Sequence, residues 1–178
     1  MDFKKLQDLV NQIQQMIDEE NMKTIPYNLN QEYFFKPSHD FVKEAIRRTD
    51  LFLKKATREG SIQGFVAEIF DVALFGGHLQ PLSGPQLIDV YRENGLGLGV
   101  KSFSKVSVTL NEGFGDCTIV QNVYRVIGSE TAGYTIKYEG YLTPEVMSAN
   151  LTESQYASGK PFVPITAILR GIYAQQEN

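Results

Sequence analysis

Gln86-Leu-Ile-Asp-Val-Tyr-Arg-Glu-Asn-Gly-Leu-Gly-Leu-Gly-Val-Lys-Ser-Phe-Ser-Lys105 is the stretch on which the reading of this chain turns. An apolar run carries one carboxylate, Asp89. Glu93-Asn94-Gly95 then reverses the chain, and a second apolar run delivers Lys101. Asn-Gly between two apolar runs is the strongest short-range hairpin signal, because both residues tolerate the positive φ angles of a tight turn. Pairing of residues 87–91 with 96–103 puts Asp89 and Lys101 on adjoining strands near one end of a sheet.

Working upstream, Ser61 to Phe75 reads as a helix closed by Gly76-Gly77, residues suited to the left-handed conformation that ends helices. Phe65, Glu68, Ile69 and Val72 are three and four apart and share one side. A carboxylate thus lies in an apolar stripe, where it needs a cation, a metal or hydrogen-bond donors, unless it reaches water at the stripe's edge. A further helix is expected over residues 39–56 with Ser38 as N-cap. Its outer face carries Lys43, Arg47, Arg48, Lys54, Lys55 and Arg58, either a solvated face or a phosphate-facing one. Residues 21–37, with Pro26, Asn28, Asn30 and Pro37, read as an irregular connection. Before them, Phe3, Leu6, Leu9, Val10, Ile13, Met16 and Ile17 recur at helical steps over about residues 2–20. That narrow stripe packs on its own domain or pairs with a second copy.

Downstream, Val106, Val108 and Leu110 alternate as in a strand with one buried face, and residues 111–116 form a loop. Residues 118–127 are rich in β-branched side chains and read as a central strand buried on both faces. Residues 134–139 alternate as the next strand. Thr143-Pro144-Glu145 opens a short helix ending near Leu151, with Thr as N-cap and Pro at the first helical position. The apolar run 162–169, broken by Pro164, has no clear type. Helices, then a mostly antiparallel sheet of four to five strands, then a helix make one α/β (α+β) domain over residues 1–178.

The chain has 178 residues, enough to bury roughly two thirds of its unfolded surface. Cys117 is the single cysteine, so no internal disulfide can form, and no Cys/His spacing suits zinc. The first residues lack a signal-peptide core, and no apolar run approaches the roughly 18–20 residues needed to span a bilayer. A soluble cytoplasmic protein without a membrane partner is the expectation. A net charge of −4 does not advertise nucleic-acid binding, although a local basic patch remains compatible with it.

Glu68 on a helix, Asp89 on one hairpin strand and Lys101 on the other form a set used in metal-dependent phosphodiester hydrolysis. Carboxylates hold Mg²⁺, and the lysine orients or deprotonates the attacking water and offsets developing charge. Mg²⁺ keeps several waters, so two acids suffice.

Residues 60–105 resemble the core of the PD-(D/E)xK nuclease superfamily, which includes type II restriction endonucleases. Gly64-Phe-Val-Ala-Glu68 resembles its helix motif, Gly84-Pro-Gln-Leu-Ile-Asp89 its first strand, and Val100-Lys101-Ser102 the end of its second. The likeness extends to about residue 150 through the later strand-strand-helix order. It implies a restriction-endonuclease-like core and Mg²⁺-dependent cleavage of duplex DNA. Asp89 and Glu68 would be the metal ligands, Lys101 would position water, and Lys105, Ser102 and Ser104 would lie within reach of phosphate. Cutting of palindromic sites would need a homodimer, with the helix over residues 1–20 as candidate face.

Two departures stand out. Gly99 occupies the position where the family has Asp or Glu, and Gln86 follows Pro85 where Asp is expected. The second acid must then come from elsewhere: from Glu68 first, or from Glu93, Glu112 or Asp116. Otherwise the chain is an inactive nuclease fold that binds nucleic acid. His39-Asp40 is similar to the metal-binding pair of viral polymerase endonuclease domains, and equally fits an ordinary first helical turn. Gly95-Leu-Gly-Leu-Gly-Val-Lys-Ser has the look of a phosphate loop, but Val100 stands where that motif needs Gly, and no helix follows. Cys117 with His78 or His39 would suit nucleophilic catalysis, while a cysteine opening an apolar strand also suits plain packing. A pure interaction domain is the remaining reading.

Overall fold

A computed structural model describes residues 3–21, 30–50, 57–80, 87–110, 115–152 and 160–173. The elements run α1 (Phe3–Asn21), β1 (Glu32–Phe35), α2 (His39–Asp50), α3 (Arg58–Phe75), β2 (His78–Leu79), β3 (Val90–Tyr91), β4 (Gly97–Phe103), β5 (Ser107–Thr109), β6 (Gln121–Ser129), β7 (Gly133–Leu142), α4 (Pro144–Asn150) and β8 (Phe162–Pro164). Single 3-10 turns lie at Gly115–Thr118 and Ile165–Ala167. The architecture is mixed α/β, with four α-helices among the described residues.

The main sheet has six strands in the order β1-β7-β6-β4-β3-β2, rather than four to five. Two short edge strands account for the difference. Glu32–Phe35 pairs with β7 inside the segment expected to be irregular, and His78–Leu79, just past the glycines that close α3, pairs with β3. Neither is long enough to show a period. Among the described residues only β4 and β6 are parallel; the other pairings of this sheet are antiparallel. Residues 107–109 leave this sheet and pair with β8 as a separate ribbon. Val108 and Leu110 are fully buried as expected, but Val106 is 72% exposed, because residues 104–106 bend out of β4 before the ribbon begins.

Burial defines three layers. Helices α1, α2 and α3 cover one face of the sheet, where Val10, Ile13 and Ile17 join Phe41, Phe65, Ile69, Phe70, Val100, Tyr124 and Ile136. On the other face, Phe103, Val123 and Leu142 pack with Met147 of α4 and with Val108 and Val163 of the ribbon. The apolar stripe of α1 is therefore used inside the chain. No helix among the described residues is long and apolar enough to cross a membrane.

The helix ends follow from capping chemistry. Ser38 Oγ accepts the Phe41 N–H at 3.2 Å and opens α2. Helix α3 starts at Arg58 rather than Ser61, because Thr57 is a competent N-cap and accepts the Gly60 N–H at 3.0 Å. It ends as expected at Gly76 (φ +84°), whose N–H reaches Val72 O. Thr143 accepts from Val146 N–H, and Pro144 opens α4.

Candidate functional site

The hairpin forms as the sequence indicates, with Val90 opposite Leu98 and Tyr91 opposite Gly97. Its loop is Glu93-Asn94-Gly95, closed by Arg92 N–H to Leu96 O at 2.8 Å, with Gly95 at φ +88°. That is a three-residue connection ending in a left-handed glycine, not a two-residue turn. Asp89 precedes β3 but continues its ladder: its N–H donates to Leu98 O and its carbonyl accepts from Gln80 N–H. Its side chain is fixed as well, since Oδ2 accepts the Val100 N–H at 2.8 Å.

Glu68 reaches this carboxylate from α3, and its carboxyl hydrogen-bonds to Asp89. Phe65, Ile69 and Val72 around it are buried, while Glu68 and Asp89 keep some exposure. Burial pushes Glu68 well above the usual carboxylate range, and the neighbouring Asp89 charge adds to this against the pull of Arg48. Burial also raises Asp89, to about 6, opposed by the Val100 N–H, Lys101 and Glu68. Two carboxyls in contact cannot both ionise cheaply, so the pair holds a proton.

Lys101 and Gly99 alternate on one face of β4, in register with Val123 and Gln121 of the parallel strand β6. The Lys101 ammonium lies 2.8 Å from Asp116 Oδ2, both side chains being largely buried. Asp116 sits on the 3-10 turn before β6 and is close enough to push Asp89 upward. The structure therefore gathers Glu68, Asp89, Lys101 and Asp116. Glu93 is exposed at the hairpin loop, at the end away from Asp89, and Glu112 lies outside the described residues.

Of the residues expected near phosphate, Ser104 and Lys105 are exposed just past the end of β4, and Ser102 is partly buried on the strand. The expected basic face is divided between α2 and Arg58, the first residue of α3. Arg47 makes a two-pronged contact with Glu44, Arg58 does the same with Glu130, and Arg48 turns inward over Phe65 to donate to Gln80 O. Lys54 and Lys55 lie outside the described residues. His39 is an exposed first-turn residue that acts on Glu130. Glu130 follows the last residue of β6, about 25 Å along that strand from Gln121. Cys117 is partly buried, and burial together with Asp116 raises its thiol, opposite to what an attacking thiolate needs. His78 stacks on Tyr91 at the far edge of the sheet.

The sequence reading missed a polar network that holds α3 on the sheet. Asp71, one turn beyond Glu68, is fully buried. It accepts from Tyr124 OH at 2.5 Å and Asn122 Nδ2 at 2.8 Å, and its other oxygen lies 2.7 Å from Arg92 Nη1. It also missed Gln121, 1% exposed, whose Nε2 donates to Asp116 O at 3.0 Å. The available signal was the polar pair Gln121-Asn122 inside an apolar run, since polar groups there must be paired.

Among the described residues, no three His, Cys, Asp or Glu side chains form a group that could hold a metal ion between them. Glu68 and Asp89 are a two-acid donor set, and a divalent cation would replace the proton they hold. That fits Mg²⁺, which takes one or two carboxylates and fills its remaining positions with water and phosphate oxygens. No protein-family model matches the chain, and no curated protein matches it.

Proposed function

We propose that this chain is a Mg²⁺-dependent endonuclease that hydrolyses phosphodiester bonds of duplex DNA, built on a restriction-endonuclease-like core. The supporting observation is the meeting of Glu68 from α3, Asp89 before β3 and Lys101 from β4, with the two carboxyls in hydrogen-bond contact. Asp89 and Glu68 would hold the cation. Bound there, it would supply positive charge to the phosphate oxygens as the phosphodiester is attacked.

The protein's own groups have distinct work. Asp89 is fixed through Val100 N–H, so its carboxyl is held against Glu68 without a rotamer search. The Lys101 ammonium orients the attacking water and offsets charge on the phosphate. Ser102, Ser104 and Lys105 contact the flanking phosphates, which sets register rather than base choice. Pairing of two copies about a two-fold axis would match a palindromic site.

Gly99 favours one second reading, a nuclease fold that binds nucleic acid without cutting it. Incubation of plasmid with Mg²⁺ or Mn²⁺ separates the two. Discrete fragments from wild type and from Cys117→Ala, with cleavage lowered at least about a hundredfold in Asp89→Ala and Lys101→Ala, establish the nuclease. Salt-sensitive DNA binding without cleavage establishes the inactive form. Absence of both removes the nucleic-acid reading.

A further inference from the structure

The acid missing at position 99 leaves a space, and the structure shows what fills it. Gly99 and Gln121 are register partners on the parallel strands β4 and β6. A Cβ at position 99 would fall directly on the Gln121 side-chain amide. Gln121 therefore occupies the volume of the side chain that Gly99 lacks, and it is 1% exposed. Its Nε2 is bonded to Asp116 O, while its Oε1 is buried with no hydrogen-bond partner. A buried amide left half-satisfied costs stability, so a chain free to choose would place an apolar residue there. What this amide achieves is to pin the turn that carries Asp116, whose carboxylate then meets Lys101.

We propose that Asp116 supplies the negative charge absent at position 99, and that Gln121 is the positioning residue that holds it there, in space open only because residue 99 is glycine. The inference rests on the metal-dependent reading of the site. Positions 99 and 121 are thus coupled: an acid at 99 displaces the Gln121 amide from its place against the Asp116 turn. Restoring an acid at 99 alone collides with Gln121 and does not complete the site.

The test is calorimetric titration of Mn²⁺ into the whole chain, with the melting temperature of each variant measured alongside. Expected are Mn²⁺ affinity about tenfold weaker in Asp116→Asn and in Gln121→Ala, with Asp116→Glu retaining more than Asp116→Asn. Gly99→Glu should melt lower than wild type without binding Mn²⁺ more tightly. Gly99→Glu combined with Gln121→Ala should recover the affinity that Gln121→Ala loses. Gln121→Met keeps the volume and deletes the amide, so it decides the matter if the alanine variant does not fold. Wild-type binding unchanged in Asp116→Asn and Gln121→Met overturns this inference while leaving the metal site standing. Tighter binding by Gly99→Glu alone, at an unchanged melting temperature, also overturns it. Absence of Mn²⁺ binding by wild type overturns both readings together.

Discussion

Glu68 and Asp89 are the residues on which the proposed chemistry depends, and their proximity carries an energetic signature. The ordinary value for Asp89 is 3.8, and in the folded chain it rises to about 6. A raised carboxyl means that the native state holds its proton more tightly than the unfolded chain does. The stability this contributes is fully present below about 4 and is lost as pH rises through 6. Wild type should therefore lose more melting temperature between pH 5 and pH 7 than the double variant Glu68→Gln with Asp89→Asn, which leaves no carboxyl in the pair; parallel pH profiles of the two would refute the shared proton. These two residues and Lys101 were legible in the sequence, because helical spacing and hairpin signals fix their places. Asp116 was one of three weak alternatives: its position depends on a turn whose path no periodicity reveals. For Gln121 the one signal was the polar pair Gln121-Asn122 in an apolar run, which says that the amide must be paired but not with which turn.

At the scale of elements, the site is only as accurate as the seating of α3 on the sheet. Asp71 provides that seating, tying α3 to β6 through Asn122 and Tyr124 and to the hairpin through Arg92. Removing one partner of a buried charged pair leaves the other uncompensated, at about 3–5 kcal/mol. Asp71→Ala should destabilise the fold by about 3 kcal/mol in urea unfolding, and a loss below about 1 kcal/mol would mean that Arg92 finds water instead. Long elements were legible: α1, the end of α3, β6, β7 and α4 follow from period and capping residues. The edge strands β1 and β2 were not, because four and two residues give no period and their pairing partners are distant in sequence. Val106 was misjudged for a related reason: apparent alternation ran across a bend that only the departure of β5 from the main sheet creates.

For the molecule as a whole, three layers place the acids and Lys101 around one parallel strand pair, β4 and β6, within an otherwise antiparallel sheet. Because α1 spends its apolar stripe on its own domain, a homodimer through this helix would have to use its polar face. The dimer proposal predicts a mass in solution twice the chain's 20.0 kDa, on DNA if not alone; a monomer under both conditions at high concentration removes it. With a net charge of −4, the proposed DNA binding would have to rest on local features such as the exposed Lys105 rather than on the global field. The central claim is that Glu68 and Asp89 share a divalent cation in place of a proton. Its most direct test is anomalous diffraction from crystals soaked in Mn²⁺: a peak in contact with both carboxylates is predicted, whereas a saturating soak that leaves Glu68 bonded directly to Asp89, with no peak beside them, would contradict it.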